Sequence, residues 1–570
     1  MFTRSIYLHS MAAGKSKSKP RSPSPQVSKR KKSNAIPKVH TVDIFVPEPH
    51  RFRVMEDDNG TPYTAMLNQT NLAQNNNKFF LIQALEHVSD STQFATWFRW
   101  GRVGYPGQTN LQVFGSRESA IGVFTQKFSD KTVNEWDSKI HSKFKSVPGK
   151  YTLLPVESLT EKSEDNPGKP AEIATVKYAD SKLDESIYEL IQLISSRETF
   201  ERELKIAGID LTRMPLGRIS DKMIKEGYAI LQKIEKQLYS GDRARNVLID
   251  LSNKFYTLIP HNFGFSKGVN YVIDSPSVLK EKIDLLETLS QVRESNDEIE
   301  KLKTVQKREI LRANPVDEKY ELLGYDVTKL EANSNEFEMI DKYKNRTQGP
   351  THALKTRICN VYKLSRKISG KKKRSGTTSP GYSNRQLLWH GSRLTNWHSI
   401  LSHGLKIAPP EAPHTGFMFD KGIYTADCFS KSLQYCYGSI GQRGLMVLCE
   451  VALGNTREAL HADYDASKKI GKTANDFHST KGVGRYRPNE KQFLTTPDGV
   501  VVPMGELVDT QASEAPEPIS QSRGGRSSSR LATTAAVTSA NGSLLYNEYI
   551  VYDVSQVEMK YLVEIEMISS

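Results

Sequence analysis

The sequence predicts a multidomain α+β protein whose parts differ in composition and in the spacing of their apolar residues. A basic, disordered N-terminal tail (residues 1–45) precedes a small α+β module (55–157), and a linker (158–177) leads to an all-α helical bundle (178–312) and a β-rich domain (320–570). Three observations predict this order: a Pro/Ser-rich start, a change from period-two to helical spacing, and a return to strands broken by Gly and Pro. We refer to the folded parts as the N-terminal module, the helical region and the C-terminal domain.

The N-terminal tail carries most of the net charge of the protein. The formal net charge is +14, and ten Lys and Arg residues lie within residues 1–42, a segment with no Asp or Glu. Because this Pro- and Ser-rich segment cannot bury apolar surface, we expect it to be disordered. The basic cluster at residues 29–32 fits nuclear import and attraction to phosphate, although a solvated spacer has a similar composition. We therefore expect a nuclear protein.

Composition excludes several classes of protein. A chain of 570 residues with 37% hydrophobic content can bury several cores, yet no apolar run approaches the roughly 20 residues of a membrane span. The four cysteines form no C-x-x-C pair, and no His stands at zinc-site spacing. We therefore expect reduced thiols, no structural metal and no membrane partner.

Aromatic and β-branched runs predict the N-terminal module, and helical spacing predicts the region after it. Residues 78–85 and 96–100 are typical of strands, and residues 120–128 have the pattern of a helix packed on a sheet. Further along, apolar residues recur at helical spacing within 183–194 and 224–238, among other segments, with breaks at prolines. This spacing indicates a bundle of about four helices.

The C-terminal domain is predicted from strands interrupted by Gly and Pro, of which residues 444–453 and 561–567 are the clearest. Two low-complexity insertions interrupt this pattern, one at 371–380 and one at 506–541. Both have the composition of surface loops, and we expect them to be mobile.

One carboxylate stands inside a run that otherwise resembles a buried strand. Glu548 lies in the segment YNEYIVY, where a desolvated carboxylate is costly without a partner, although an edge-strand Glu facing water fits the alternation as well. Upstream, His390 follows an apolar strand, and Tyr424 and Tyr435 offer flat rings. An imidazole, an aromatic ring and a carboxylate can orient a ribose, stack on a heterocycle and stabilise a cationic sugar carbon. Each residue taken singly has an ordinary structural interpretation.

Several motifs together resemble the poly(ADP-ribose) polymerase family. In the C-terminal domain these are LLWHGSR, LKIAPPEAP, KGIY, EVALG and YNEYIVY, at residues 387–393, 405–413, 421–424, 450–454 and 546–552. The helical region has MPLG and FYTLIPHNFG, similar to that family's helical regulatory domain, at 214–217 and 255–264. The N-terminal module has LNQTN, NNNK, WGR and PGKY, similar to its WGR domain, at 67–71, 75–78, 100–102 and 148–151. The short basic tail, without zinc fingers, resembles the shorter members of the family.

The resemblance implies an ADP-ribosyltransferase site of His, Tyr and Glu that consumes NAD+ as its substrate, without a metal. It implies that the catalytic residues are His390, Tyr424 and Glu548 and that the donor contacts come from His390, Gly391, Ser392, Lys406, Tyr424, Ser432 and Tyr435. In this assignment His390 holds a ribose hydroxyl, Gly391 and Ser432 bind the nicotinamide amide, and the two tyrosines sandwich its ring. Glu548 would bond the 2'-hydroxyl of the nicotinamide ribose and orient the acceptor hydroxyl, as chain growth requires.

Three positions depart from the family's pattern. Lys406 stands where the family often has Arg, and Phe417 and Asp420 replace a usual Tyr and Gly. Lys keeps the charge but lacks the planar guanidinium. Asp420 would weaken the binding of an anionic dinucleotide if it faced the site, and we expect it to point outward.

The WGR resemblance implies recognition of broken DNA, at nicks or double-strand ends that carry a 5'-phosphate. Residues 62–154 hold ten Lys and Arg against six Asp and Glu, an excess too small to establish DNA binding alone. An aromatic ring can stack on a terminal sugar or base while basic side chains contact phosphate. The residues expected to contact DNA are Lys78, Trp100, Gly101, Arg102 and Tyr151.

The sequence thus predicts a nuclear, DNA-break-activated poly(ADP-ribosyl)transferase that modifies itself, histones and other chromatin or repair proteins. The family resemblance also implies that the helical region covers the NAD+ site until DNA binding loosens it. One alternative is a mono-ADP-ribosyltransferase, which the presence of Glu548 disfavours. The other is a DNA-end-binding scaffold with an inactive catalytic domain, which the complete set of His390, Tyr424 and Glu548 disfavours.

Overall fold

The computed structural model confirms a multidomain α+β architecture. It describes residues 40–155, 178–196, 199, 202, 209, 220–240, 244–305, 313–367, 381–414, 417–510 and 544–569. The expectations for the tail before residue 40, for the linker at 158–177 and for the insertion at 371–380 lie outside the described residues.

The N-terminal module is an antiparallel sheet with one long helix packed against it. Its elements are β1 (Phe52–Val54), β2 (Thr64–Asn71), β3 (Asn76–His87), β4 (Phe94–Arg102), β5 (Gln108–Phe114), α1 (Arg117–Thr132), α2 (Ile140–Lys143) and β6 (Thr152–Leu153). The strand order is β5-β4-β3-β2-β6, and β1 pairs with the end of β3. Ala120, Phe124 and Phe128 of α1 are buried in one cluster with apolar side chains of the sheet. The strands and the helix predicted for this module are confirmed.

Residues 40–45 belong to the folded module, so the predicted tail boundary at residue 45 is wrong. Asp43 is buried, and its Oδ2 accepts hydrogen bonds from Arg99 Nε at 2.5 Å and from Trp97 Nε1 at 3.0 Å. Its main-chain N–H donates to Gln83 Oε1 at 2.9 Å. This ion pair is not recognisable from the sequence, because Asp43 meets its partners only once β4 lies in the sheet.

The described helices of the helical region are α3 (Glu185–Ser195), α4 (Asp221–Tyr239), α5 (Arg245–Leu258) and α6 (Pro276–Val305). Leu231, Phe255 and Leu286 bring α4, α5 and α6 into one core. By contrast, α3 buries Leu190 and Ile194 in the core of the C-terminal domain. Among the described helices, none has the length and apolar character to cross a bilayer.

The C-terminal domain combines three sheets with short helices. Its strands are β7 (Tyr325–Lys329), β8 (Lys355–Arg366), β9 (Arg385–Gly391), β10 (Ile423–Thr425), β11 (Arg443–Ala452), β12 (Thr456–Ala459), β13 (Ser479–Gly482), β14 (Gly484–Pro488), β15 (Leu494–Thr495), β16 (Val501–Val502), β17 (Leu507–Asp509), β18 (Leu544–Tyr546), β19 (Glu548–Val551) and β20 (Val557–Ile568). Its helices are α7 (Pro315–Glu321), α8 (Asn335–Arg346), α9 (Trp397–His403) and α10 (Phe429–Leu433). The sheet orders are β15-β16-β9-β11-β20-β8-β7, β10-β19-β13-β12 and β17-β14-β18.

The predicted insertion at 506–541 begins later than expected. Residues 507–509 form β17, which pairs antiparallel with β14. The sequence placed them in the insertion because a three-residue strand is too short to show alternation. Residues 511–541 lie outside the described residues.

Asparagine side chains join the N-terminal module to the helical region. Asn68 Nδ2 donates to Thr257 O at 2.9 Å, and Asn77 Nδ2 donates to His261 O at 2.7 Å. Asn253 Oδ1 accepts from the main-chain N–H of Leu72 at 2.8 Å. These bonds tie β2 and β3 to α5 and to the segment that leads from α5 toward α6.

Candidate active site

A cleft of the C-terminal domain lies between β9, β10, α10 and helix α6 of the helical region. All the predicted catalytic and donor-contacting residues line it, namely His390, Gly391, Ser392, Lys406, Tyr424, Ser432, Tyr435 and Glu548. The structure therefore brings the predicted set together from separate stretches of sequence.

The end of strand β9 holds His390 in one orientation. Its Nδ1 lies 2.8 Å from Tyr424 O, so Nδ1 carries the proton and donates it to that carbonyl oxygen. Burial lowers the pKa of His390, against a smaller opposing effect of this hydrogen bond. The imidazole is therefore neutral near pH 7, and its Nε2 can accept a hydrogen bond from a hydroxyl group.

Gly391 allows the main chain of β9 to lie directly against α10. A Cβ at this position would overlap the carbonyl oxygen of Ser432. The Ser432 hydroxyl donates to Trp389 O at 3.0 Å, which leaves its oxygen lone pairs free to accept a bond from a ligand N–H. Ser392 Oγ accepts from Asn396 Nδ2 at 2.9 Å, and this bond fixes its side chain at the cleft wall.

Tyr424 contributes the face of its ring rather than its hydroxyl. The hydroxyl donates to Asp420 O at 2.7 Å and accepts from the N–H of Phe419 at 3.0 Å. Burial is the main cause of the raised pKa of Tyr424. Tyr435 lines the same cleft from the turn after α10, and Lys280 Nζ lies 5.6 Å from its ring centre. Both rings are thus available for stacking.

Glu548 begins strand β19 and is paired with Lys431. The carboxylate is 7% exposed, and its Oε1 lies 2.7 Å from Lys431 Nζ. Burial alone would lower the pKa of Lys431, but the Tyr435 phenol and the Glu548 carboxylate raise it above its ordinary value. Lys431 is therefore charged, and its contact favours the interpretation of Glu548 as a buried, partnered residue over one facing water. No motif of the sequence gives Lys431 a role, and its only signal is its position beside Ser432.

The three positions that depart from the family's pattern lie in different surroundings. Lys406 is exposed at the cleft, and the Phe417 ring lies 5.9 Å from that of Tyr424. Asp420 is buried, with its carboxylate accepting from Ser467 and contacting His414. Asp420 is not among the residues that line the cleft, which agrees with the expectation that it points away from the site, but its side chain is buried against Ser467 instead of facing solvent.

Helix α6 forms the wall of the cleft opposite the catalytic residues. Lys280, Asp284 and Glu287 line the cleft, and Asp284 Oδ2 accepts a hydrogen bond from the Tyr437 hydroxyl at 2.5 Å. Glu287 is open to the cleft but surrounded by protein, and this partial burial beside Asp284 raises its pKa to about 7. Sequence reasoning found none of these residues, because helical spacing alone does not tell which polar face of a helix meets another domain.

The predicted DNA-contacting residues lie at one end of the sheet in the N-terminal module. Lys78 pairs with Arg102 and Phe80 with Trp100 across β3 and β4, and the Trp100 ring stacks on Phe80 at 5.7 Å. Tyr151 meets the edge of Phe80 at 6.1 Å. Gly101 permits close approach of the turn, because a Cβ there would lie 2.8 Å from Gly107 Cα.

Arg102 is bound to protein oxygens rather than being free at the surface. Its Nε donates to Gly264 O of the helical region at 2.5 Å, and its terminal nitrogens donate to Asn75 O and Oδ1, each at 3.0 Å. A phosphate contact by this guanidinium would have to replace some of these bonds.

A neutral imidazole, two tyrosine rings and a buried carboxylate around one cleft define a site of the ADP-ribosyltransferase class. Comparison with known proteins agrees with this class, and three family models match separate parts of the chain. Residues 334–523 match the family model described as the poly(ADP-ribose) polymerase catalytic domain, a match that ends before β19. Residues 181–320 match the poly(ADP-ribose) polymerase regulatory domain, and residues 63–143 match the WGR domain.

The chain belongs to the poly(ADP-ribose) polymerase family, and its C-terminal domain is an ADP-ribosyltransferase that uses NAD+ as substrate. It is 40% identical over 510 residues to "Poly [ADP-ribose] polymerase 2" of Arabidopsis thaliana, an alignment that covers 88% of this chain and 73% of that protein. It is 38% identical to the human protein of the same name, over 88% of this chain and 79% of that one. The predicted resemblance is therefore confirmed.

Proposed function

We propose that this protein is a DNA-break-activated poly(ADP-ribosyl)transferase that acts in the nucleus and modifies itself, histones and other chromatin or repair proteins. The observation that carries the proposal is the buried Glu548, paired with Lys431 at 2.7 Å and placed in one cleft with His390 and two tyrosine rings. A fixed carboxylate beside a reacting sugar stabilises positive charge and can accept a proton, which are the two requirements for adding one ADP-ribose to another.

Donor binding follows from the groups that face the cleft. His390 Nε2 accepts a hydrogen bond from a ribose hydroxyl. Main-chain groups of Gly391 and the Ser432 hydroxyl bind the nicotinamide amide. Tyr424 and Tyr435 stack on the nicotinamide ring. Lys406 and Ser392 add polar contacts to the rest of the dinucleotide. Because the tyrosine hydroxyl of Tyr424 is bound to main chain, we assign Tyr424 to ring stacking rather than to proton transfer.

Transfer requires that the bond between the ribose anomeric carbon and the nicotinamide nitrogen breaks. The electron pair leaves with nicotinamide, positive charge grows on the anomeric carbon, and the Glu548 carboxylate lies on the wall where it can stabilise that charge. The acceptor oxygen then bonds to the anomeric carbon, and its proton passes to Glu548. Lys431 holds the carboxylate in place during these steps.

Activation by broken DNA is proposed to act through helix α6. Its Asp284 and Glu287 occupy the cleft and would repel an anionic dinucleotide, so donor binding favours a state in which α6 has moved. The N-terminal module is bonded to the helical region through Asn68, Asn77 and Arg102. DNA bound by that module can therefore bias the position of the helical region.

The DNA surface is proposed to include Lys78, Trp100, Gly101, Arg102 and Tyr151. Their grouping at one end of the sheet supports a single surface for a broken end, preferably one with a 5'-phosphate, and Lys78 is exposed there. The basic N-terminal tail supports nuclear localisation by its charge.

Labelled NAD+ tests the proposal directly. The purified full chain is incubated with labelled NAD+ alone, with nicked DNA that carries a 5'-phosphate, and with intact closed-circular DNA as the matched control. We expect long polymer on the protein itself only with nicked DNA. A single ADP-ribose per site would favour the mono-transferase alternative, and no label with any DNA would favour the inactive scaffold.

A further inference from the structure

A second cleft lies behind the strand that carries Glu548, and one buried carboxylate stands at the junction. Asp427 is 1% exposed and lines this second cleft together with Asn547 and Tyr549, whereas Glu548 lines the first. Successive side chains along an extended chain point to opposite faces, so residues 547 and 549 face away from the active site while 548 faces into it. The strand therefore separates the catalytic cleft from a polar space behind it.

Asp427 holds the two residues on either side of Glu548. Its Oδ2 accepts hydrogen bonds from Asn547 Nδ2 at 2.7 Å and from the Tyr549 hydroxyl at 3.0 Å. At its other end, the Asn547 side chain accepts from the main-chain N–H of Gly484 at 2.9 Å. Hydrogen bonds to an ionised acceptor are stronger than neutral ones, so the chain is fixed both before and after Glu548.

Asp427 follows closely on strand β10, which carries Tyr424, and this segment is tied to the strand of His390. Thr425 Oγ1 donates to Tyr549 O at 3.2 Å. The main chain of Ala426 exchanges hydrogen bonds of 2.8 and 2.9 Å with Trp389, the residue before His390. The segment 424–427 therefore connects the strands that present His390, Tyr424 and Glu548.

Packing alone would not favour a buried carboxylate at position 427. Burial raises its pKa, partly offset by the hydrogen bonds from Asn547 and Tyr549. Its Oδ1 has no hydrogen-bond partner among the residues that the structure describes. A buried acceptor left without a partner costs free energy that an apolar side chain of the same size would avoid. Compared with an apolar side chain, this carboxylate contributes the two hydrogen bonds that its Oδ2 accepts from the residues flanking Glu548.

We propose that Asp427 is a positioning residue that sets the place of the Glu548 carboxylate by clamping Asn547 and Tyr549. The proposal rests on the function proposed for Glu548 above. Catalytic groups have to be held within a fraction of an ångström of their working positions, and the Glu548 side chain moves with its strand. His390, Gly391 and Ser432 bind the donor from other elements, so a loosened strand lowers the rate of transfer and leaves donor binding largely intact.

The test compares variants that differ in their hydrogen-bond acceptors at one position. In the full chain with nicked DNA, Asp427→Leu removes both acceptor oxygens at similar size, and Asp427→Asn keeps one carbonyl oxygen that can accept both bonds. We expect Asp427→Leu to lower kcat on the order of 100-fold, with KM for NAD+ changed less than about threefold and with shorter polymer. Asp427→Asn is expected to restore kcat to within about tenfold of wild type.

Tyr549→Phe keeps the proposal testable if Asp427→Leu does not fold, because it removes one donor and leaves the ring in place. We expect it to lower kcat without lowering the melting temperature in proportion. Wild-type kcat and polymer length in folded Asp427→Leu, or in Tyr549→Phe, would overturn the clamp. Glu548→Gln measured in parallel separates the two proposals: if it is fully active, the role of Glu548 fails, and if it is inactive while Asp427→Leu is active, only the clamp fails.

Discussion

Two features of single residues shape the site. One is a buried ion pair, and the other is a glycine whose main chain lies directly against a neighbouring segment. Lys431 and Glu548 lie with 2.7 Å between nitrogen and oxygen, and both are largely enclosed. Removing either partner would leave the other buried and unpaired, which costs far more than the pair itself contributes. The pair therefore serves to hold the carboxylate in place rather than mainly to stabilise the fold.

Gly391→Ala should impair the site through a main-chain overlap. The added methyl group meets the Ser432 carbonyl oxygen, which is backbone and cannot turn away. We expect a loss of about 1–3 kcal/mol in the free energy of unfolding and a raised KM for NAD+. Gly122→Ala is the matched control, because Gly122 lies exposed within α1 with no atom near its added Cβ, and it should gain up to about 1 kcal/mol. Denaturant unfolding of both variants checks the prediction, and equal effects would contradict it.

The sequence predicted the residues of the site that face the donor but not those that hold them. His390, Tyr424 and Glu548 were recognisable from motifs, and the structure places all three on one cleft. Lys431 and Asp427 reach Glu548 and its neighbours only through folding, since they are distant from them in the chain. The burial of Asp420 was not predictable for the same reason, because its contact with Ser467 is not visible in its own motif.

Among the elements of the fold, α6 bears most directly on activity, because it occupies the donor side of the cleft. Its Asp284 is fixed by the Tyr437 hydroxyl, and the Arg393 guanidinium lies 3.7 Å from the centre of the Tyr437 ring. These contacts link the helical region to the donor-binding wall. The closed position of α6 should therefore respond to changes in single side chains.

Tyr437→Phe should raise the DNA-independent rate. The variant loses the bond to Asp284 but keeps the ring beneath Arg393. A partly exposed hydrogen bond to a carboxylate contributes about 1 kcal/mol, so we expect a rise of about fivefold without DNA and an unchanged maximal rate with nicked DNA. Initial rates with labelled NAD+ measure both. Tyr464→Phe, at an exposed tyrosine outside the cleft, is the control. An identical response of the two variants would contradict the proposed role of the bond between Tyr437 and Asp284.

The pH dependence of the DNA-independent rate should report on Glu287. Its pKa, raised to about 7 by burial and by Asp284 and opposed by Lys280 and Arg393, lies above that of an ordinary carboxyl. The closed position is thus most stable with Glu287 neutral, below the ordinary carboxyl pKa, and its loss of stability is complete once pH has risen through the raised pKa. Between about pH 5 and 7 the DNA-independent rate should therefore rise more steeply in wild type than in Glu287→Gln, and this difference should level off at higher pH. Parallel pH profiles for the two proteins would contradict this assignment.

Element types were predictable from apolar spacing, whereas the surfaces on which elements pack were not. The spacing of Leu190 and Ile194 predicts a helix, and α3 is one. The same spacing fits packing on either neighbour, and α3 packs on the C-terminal domain instead of joining the core of α4, α5 and α6. Residues 40–45 were missed because their anchors, among them the buried Asp43 and the Thr41 carbonyl bonded to Gln83, form only once the sheet has folded.

In the molecule as a whole, polar contacts run from the N-terminal module to the catalytic cleft. Arg102 and two asparagines bind main chain of the helical region, and α6 of that region binds Tyr437 at the cleft. DNA binding at one end can thus alter donor access at the other if the helical region has two positions.

Arg102→Ala should uncouple the two ends. Because the guanidinium is bound to Gly264 and Asn75, we expect stimulation by nicked DNA to fall toward the DNA-independent rate. Because Arg102 also belongs to the proposed DNA surface, the Kd for nicked DNA should rise as well, but by less than about fivefold, a smaller factor than the loss of stimulation. Arg53→Ala, at the surface pair of β1 with Glu86, is the control. A loss of stimulation that is fully accounted for by the loss of DNA affinity would contradict a coupling role for Arg102.

The role of the Glu548 carboxylate in polymer growth is tested most directly by Glu548→Gln in the full chain with nicked DNA. Glutamine keeps the shape of the side chain but removes the charge that faces the anomeric carbon and the acceptor hydroxyl. Polymer length on a gel and the affinity for a non-hydrolysable NAD+ analogue are measured side by side. We expect near wild-type binding of the analogue, with polymer growth reduced to single ADP-ribose units or very short chains. Polymer of wild-type length from this variant would contradict it.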